Sequence, residues 1–173
     1  KNLACAVGSM LPEFAVIDQD GQVIDAAFFK GKTTVINFFF TRCSNPSMCP
    51  ATTRRLQQLL EQGRAMGLVD LQVLSLSFDP ERDAPGVLKD YAQAYQLDET
   101  SFRLATGPKQ AMDDLRQKIG IQTRPDPRLI IDHTFRAVVV DGNRRLVAEI
   151  VGSSWSLENT LAGLAELFLE KGN

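Results

Sequence analysis

Cys43 and Cys49 stand with five residues between them, where the most apolar run of the chain meets a proline suited to begin a helix. A thiol pair on one loop can close as a disulfide, exchange disulfides with a partner, or grip a soft metal ion. Closure requires the two Cα atoms to approach within about 7 Å, which a five-residue loop permits. Pro50 fits the first turn of a helix, where its missing N–H costs nothing. Cys49 is then expected at the N-cap, where orphan N–H groups and the positive end of the helix favour a thiolate. A thiolate is both the better nucleophile and the better metal ligand. Two thiols that merely pack, or a purely structural disulfide, are the bland alternatives.

His133 is the chain's only histidine. A Cys2His2 zinc site is therefore excluded within one chain. Two thiolates and one imidazole would make a soft, three-coordinate set with room for a fourth donor. That set suits Cu(I), and Cu(II) with an added donor, better than magnesium or calcium, although zinc would bind it too. Met48, beside Cys49, is read as a loop side chain covering the site rather than as a ligand.

The elements that must position these residues follow from pattern. Residues 34–40, Thr-Val-Ile-Asn-Phe-Phe-Phe, are β-branched then aromatic without alternation, as in a strand buried on both faces. Leu56, Leu59, Leu60 and Gly63 recur at helical spacing after Pro50. Residues 71–78 form a second buried strand, and Val87, Leu88, Tyr91, Ala92 and Tyr95 a helical stripe. A short strand at 102–104 precedes a helix from Gly107-Pro108 to Gly120. Residues 129–132 and 137–140 flank His133, Asp141-Gly142 signals a hairpin, and 145–151 return. Ser156 caps a C-terminal helix. Upstream, residues 11–17 and 22–24 are expected to pair around the turn at Asp18-Gln19-Asp20-Gly21. The fold class is α/β, a thioredoxin-like fold with an added N-terminal β-hairpin. His133 then begins the strand beside the Cys43 loop. Residues 1–10 are expected to be a tail from a truncated anchor region, and residues 11–173 one thioredoxin-like domain.

A chain of 173 residues, 44% hydrophobic and with a formal net charge of -2, suits one core. It offers no electrostatic case for nucleic acid. No apolar run approaches the roughly 20 residues that span a bilayer. Cys5 is read as an inert free thiol, with a tether position in a precursor as the alternative.

Three motifs in order resemble the Sco/SenC family of thioredoxin-fold copper proteins. They are Phe-Phe-Phe-Thr-Arg-Cys (38–43) with Cys49-Pro50, the run Ser-Leu-Ser-Phe-Asp-Pro-Glu-Arg-Asp (75–83), and Asp132-His133 followed by Val-Val-Val-Asp-Gly (138–142). The loop between the cysteines is two residues longer than the family's usual C-x3-C. The resemblance implies that Cys43, Cys49 and His133 bind one copper ion per chain, as Cu(I) or Cu(II). It implies a metallochaperone that delivers copper to the dinuclear site of cytochrome c oxidase, or prepares that site's cysteines. The partner would be the oxidase's copper-bearing subunit or another periplasmic cuproprotein, with other thioredoxin-like or copper-carrying proteins as further candidates. The location implied is the bacterial periplasm, tethered to the inner membrane by an anchor outside these residues, with the mitochondrial intermembrane space as the alternative. A thiol-disulfide oxidoreductase with Cys43 and Cys49 as catalytic thiols, and no copper transfer, is the competing function. Asp79, at a strand end, is a candidate to orient His133, with turn chemistry as its alternative. A peroxiredoxin is disfavoured, because Phe40 stands where the hydroxyl of a Thr-x-x-Cys motif belongs.

Overall fold

A computed structural model describes residues 6–121, 136–152 and 155–171. The apolar run becomes β3, Thr33–Phe39, and all seven of its residues are buried. Burial on both faces follows from its neighbours. β3 pairs in parallel with β4, Leu71–Ser77, and antiparallel with β6, Arg136–Val140. Among the described residues the sheet has seven strands in the order β2-β1-β5-β4-β3-β6-β7. β1 is Val16–Asp18, β2 Val23–Ile24, β5 Phe102–Thr106 and β7 Leu146–Val151. The parallel pair linked by a crossover helix, continued by an antiparallel hairpin, is the expected thioredoxin-like arrangement.

Alternation along the strands divides the core in two. Val35 and Phe39 join Val73, Ala137 and Val139 on the face covered by α1, Cys49–Ala65, and α4, Leu157–Lys171. Ile36 and Phe38 join Leu74 and Val138 on the other face, under Met112, Leu115 and Ile119 of α3, Lys109–Ile119. The remaining helix, α2, Pro85–Ala94, contributes Leu88 and Ala92 to the first cluster. Two helix ends follow the sequence reading closely. Gly120 closes α3 in the left-handed conformation at φ 85°, which a residue without Cβ adopts freely. Ser156 Oγ accepts the N–H of Asn159 at 3.1 Å to cap α4.

The N-terminal hairpin is present but shorter than expected. β1 begins at Val16 because the residues before it bond elsewhere. Gly8 N–H donates to Leu146, Leu11 N–H to Arg144, and Leu146 N–H to Ser9, while Pro12 has no N–H to give. The turn itself is as expected, with Asp18 Oδ1 accepting the N–H groups of Asp20 and Gln22 at 2.9 Å each. The other carboxylate oxygen of Asp18 receives Arg103 of β5 at 2.5 Å, tying the added hairpin to the sheet. Among the described residues no helix is long and apolar enough to cross a membrane.

Two glycines test the packing with opposite signs. A Cβ on Gly142 would lie 2.9 Å from the backbone nitrogen of Gly31, while on Gly163, exposed in α4, it would meet nothing within 4 Å. Gly142→Ala is therefore expected to lose about 1–3 kcal/mol of stability through overpacking. Gly163→Ala should gain up to about 1 kcal/mol from helix propensity. Urea unfolding with an unchanged m-value checks both.

Candidate functional site

β3 delivers the chain to the carboxyl edge of the sheet, where α/β proteins place their chemistry. The Cys43 N–H turns back to donate to the Phe40 carbonyl at 3.3 Å. The extra length of the loop is absorbed locally. Asn45 Oδ1 accepts the backbone N–H of Ser47 at 3.0 Å and its hydroxyl at 2.7 Å. Met48 N–H donates to the Asn45 carbonyl at 3.1 Å, which completes a compact Asx turn. Met48, not Cys49, takes the N-cap position of α1, without a side-chain cap bond; Cys49 is the first helical residue and Pro50 the second. The expected cap moves by one because the Met48 carbonyl already accepts from Thr52 at 2.9 Å, the first bond of the helix.

Both thiols are free and half-buried. The loop brings them within hydrogen-bonding reach of each other, and one proton between two sulfurs drives their acidities apart. Cys43 is lowered from 9.0 to about 6, first by the hydrogen bond from the Cys49 thiol, then by the backbones of Cys49 and Asn45, against desolvation. Cys49 is pushed up, first by the same bond, next by burial and by the neighbouring Cys43 charge. The backbone of Phe40 hydrogen-bonds the Cys49 sulfur and partly offsets that rise. A thiolate at Cys43 thus faces the first turn of α1, where backbone donors and the helix dipole favour it. Cys49 packs with Tyr91 against the cluster containing Phe39, Leu56 and Trp155. The Tyr91 hydroxyl lies 3.0 Å from that of Thr53, one turn below Cys49, and burial raises the phenol's pKa. The thiol pair is dry on that side and open on the other.

An acidic residue, Asp83, enters the site's support, whereas the sequence reading singled out Asp79 from the same run. Asp83 has no exposed surface. Its carboxylate accepts the Thr41 N–H at 3.2 Å, the Thr41 hydroxyl at 2.5 Å and the Ser77 hydroxyl at 2.6 Å. It therefore joins the ends of β3 and β4. Ser77 and Asp83 lie within the second motif and Thr41 within the first, so the signal was two hydroxyls and a carboxylate at adjacent strand ends. Asp79, the residue singled out from sequence, takes part in the turn that follows β4. Its carboxylate meets Arg82 at 3.2 Å, and its carbonyl accepts the N–H groups of Arg82 and Asp83 at 3.0 Å each.

His133 and Cys5 lie outside the described residues, as do the loop at 124–127 and the expected strand at 129–132. Among the described residues no group of three His, Cys, Asp or Glu side chains could hold a metal ion. The two sulfurs have the chemistry that suits a soft cation. β6, antiparallel to β3 with Ile36 opposite Val138, begins at Arg136 near the carboxyl end of β3.

The comparisons with known proteins agree with this fold. A SCO2-like protein of Rickettsia conorii is 27% identical over 137 residues, 76% of this chain and 64% of that protein. The chain thus spans just under two thirds of that relative's length. The structure of BsSco, described as a member of the Sco family of cytochrome c oxidase assembly proteins, matches with a TM-score of 0.80 at 21% identity, over 96% of this chain and 97% of the other. That of Arabidopsis thaliana ScoI with copper bound matches with a TM-score of 0.80 at 18% identity, over 94% and 99%. At such identities these two likenesses establish the fold. The SCO1/SenC family model matches residues 6–168, nearly the whole chain, and the chain belongs to that family.

Proposed function

We propose that the protein is a copper-binding assembly factor, with Cys43 and Cys49 supplying two sulfur ligands and His133 the third. The observation that carries this reading is the juxtaposition of the two thiols across a self-ordered loop at the end of β3. Two sulfurs with one proton between them need lose only that proton to present two thiolates, which soft Cu(I) prefers over oxygen donors. The copper ion is cargo, one per chain, and the open side of the site is where a partner's ligands would take it over. The fold shared with the copper-bound Arabidopsis ScoI supports the reading. The partner class proposed is the copper-bearing subunit of cytochrome c oxidase or another cuproprotein, supported by the description of BsSco. A periplasmic location and a membrane tether outside these residues belong to the same proposal, as does a single functional domain over residues 11–173.

A second reading rests on the split acidities of the pair. The protein would reduce a partner's disulfide. The Cys43 thiolate attacks one partner sulfur, forming a mixed disulfide and expelling the other partner sulfur as thiolate. Cys49, after losing its proton, attacks the Cys43 sulfur and expels the second partner thiolate. The chain is left with a Cys43–Cys49 disulfide, the partner with two thiols, and two electrons have moved.

Titration of the reduced chain with Cu(I) against a competing chelator tests the first reading. The expected result is uptake of one ion per chain, lost in Cys43→Ala. In His133→Ala the weakening should exceed the roughly 10–100-fold that an outer-shell partner typically costs. Unchanged affinity in both variants would overturn the site. Iodoacetamide labelling tests the second reading. The Cys43 rate should rise with a midpoint near pH 6 and fall below it as the thiolate is protonated, while Cys49 stays unreactive at neutral pH. A midpoint near the ordinary value of 9.0 for Cys43 would remove the attacking thiolate.

A further inference from the structure

We propose that Asp83 is a positioning residue for the thiol pair, acting through the single peptide unit that joins Phe40 to Thr41. A peptide is planar, so its carbonyl and its N–H cannot turn independently. Here the N–H end, on Thr41, donates to Asp83 Oδ2 at 3.2 Å. The carbonyl end, on Phe40, accepts the Cys43 N–H at 3.3 Å. The N–H of Phe40, in the preceding peptide, faces the Cys49 sulfur. The Phe40–Thr41 plane thus holds Cys43, the adjoining Phe39–Phe40 plane reaches Cys49, and Asp83 fixes the tilt of the first.

Two further contacts keep the carboxylate from rotating, and a third anchors the Asp83 backbone. The Thr41 hydroxyl donates to Oδ1 at 2.5 Å and the Ser77 hydroxyl to Oδ2 at 2.6 Å, while Asp83 N–H donates to the Asp79 carbonyl at 3.0 Å. Asp83 has no exposed surface, so water does not compete for these donors. Among the described residues no cation pairs with it, and its whole role is directional hydrogen bonding. A donor bound to a carboxylate also polarises its own peptide, which makes the Phe40 carbonyl a better acceptor for Cys43. The consequence is a high effective concentration of one thiol at the other, since the loop between them is held at its upstream end.

This inference rests on Cys43 and Cys49 acting as a pair, but not on copper. It is tested on the metal-free full chain by equilibrating the Cys43–Cys49 dithiol against dithiothreitol and trapping the free thiols. Asp83→Ala should shift the equilibrium at least about tenfold toward the dithiol, which is about 30 mV. Asp83→Asn should stay within about threefold of the parent protein, because one amide oxygen can still accept from Thr41 N–H and Ser77, and the Thr41 hydroxyl can turn to accept from the amide. Leu115→Ala, a core truncation on the far face of the sheet, should lower stability and leave the equilibrium unchanged. If Asp83→Ala does not fold, Thr41→Val, which removes one donor and keeps the shape, should shift the equilibrium about threefold in the same direction. An unchanged equilibrium in a folded Asp83→Ala or Thr41→Val protein, or an equal shift in Leu115→Ala, would overturn the positioning role. Failure of the parent protein to form the disulfide at all would overturn the pair reading, and the positioning role with it.

Discussion

Everything at the site depends on where the last peptides of β3 point. β3 cannot slide, because β4 grips one edge over seven paired residues and β6 grips the other. Shifting a strand's register by one residue would exchange the inward-facing Val35 and Phe39 with Ile36 and Phe38, moving every side chain to the wrong core. The strand therefore presents Phe40 and Thr41 at one place on the sheet edge, and the cysteine loop inherits that placement. What the loop adds is local. Asn45 closes a turn with Ser47 and Met48, and the surplus of two residues bulges outward instead of driving Cys43 away from Cys49.

Within that frame the two thiols differ through position more than through type. Cys43 approaches the start of α1 from outside, where unpaired N–H groups and the helix dipole favour negative charge. Cys49 belongs to the helix and leans on the Phe39 and Leu56 side of the core, where charge is disfavoured. The proton they share settles on Cys49 for that reason. Asymmetry of this kind serves either proposed function. A metal displaces one proton and collects both sulfurs, whereas a disulfide-exchange partner meets one prepared nucleophile and one reserved thiol.

The sequence made much of this visible because its signals were local. A β-branched and aromatic run marked β3, the spacing of Leu56, Leu59 and Leu60 marked α1, and Gly120 marked the end of α3. The pair Cys43 and Cys49 was visible as two rare residues astride a strand end and a helix-starting proline. Cap geometry at Met48 was not, since it depends on which carbonyl Thr52 reaches and not on residue type. The early start expected for β1 failed because residues 8–11 find partners at 144–146, far along the chain. Asp83 was hidden for a related reason. Asp79, Glu81, Arg82 and Asp83 look alike as a polar run, and only the meeting of β3 and β4 decides which carboxylate is enclosed.

Enclosure of Asp83 is costly, and the cost narrows what the residue can be for. A buried carboxylate gives up hydration worth several kcal/mol, about as much as good hydrogen bonds return. A leucine at the same place would join two strand ends by packing alone, with no polar group to satisfy. Packing, however, has no direction, and cannot hold the Thr41 N–H at a chosen angle. A carboxylate with three donors can, and it does so at the peptide whose carbonyl accepts the Cys43 N–H. Cohesion between β3 and β4 already comes from seven paired residues. The orientation of one peptide plane is what the aspartate adds.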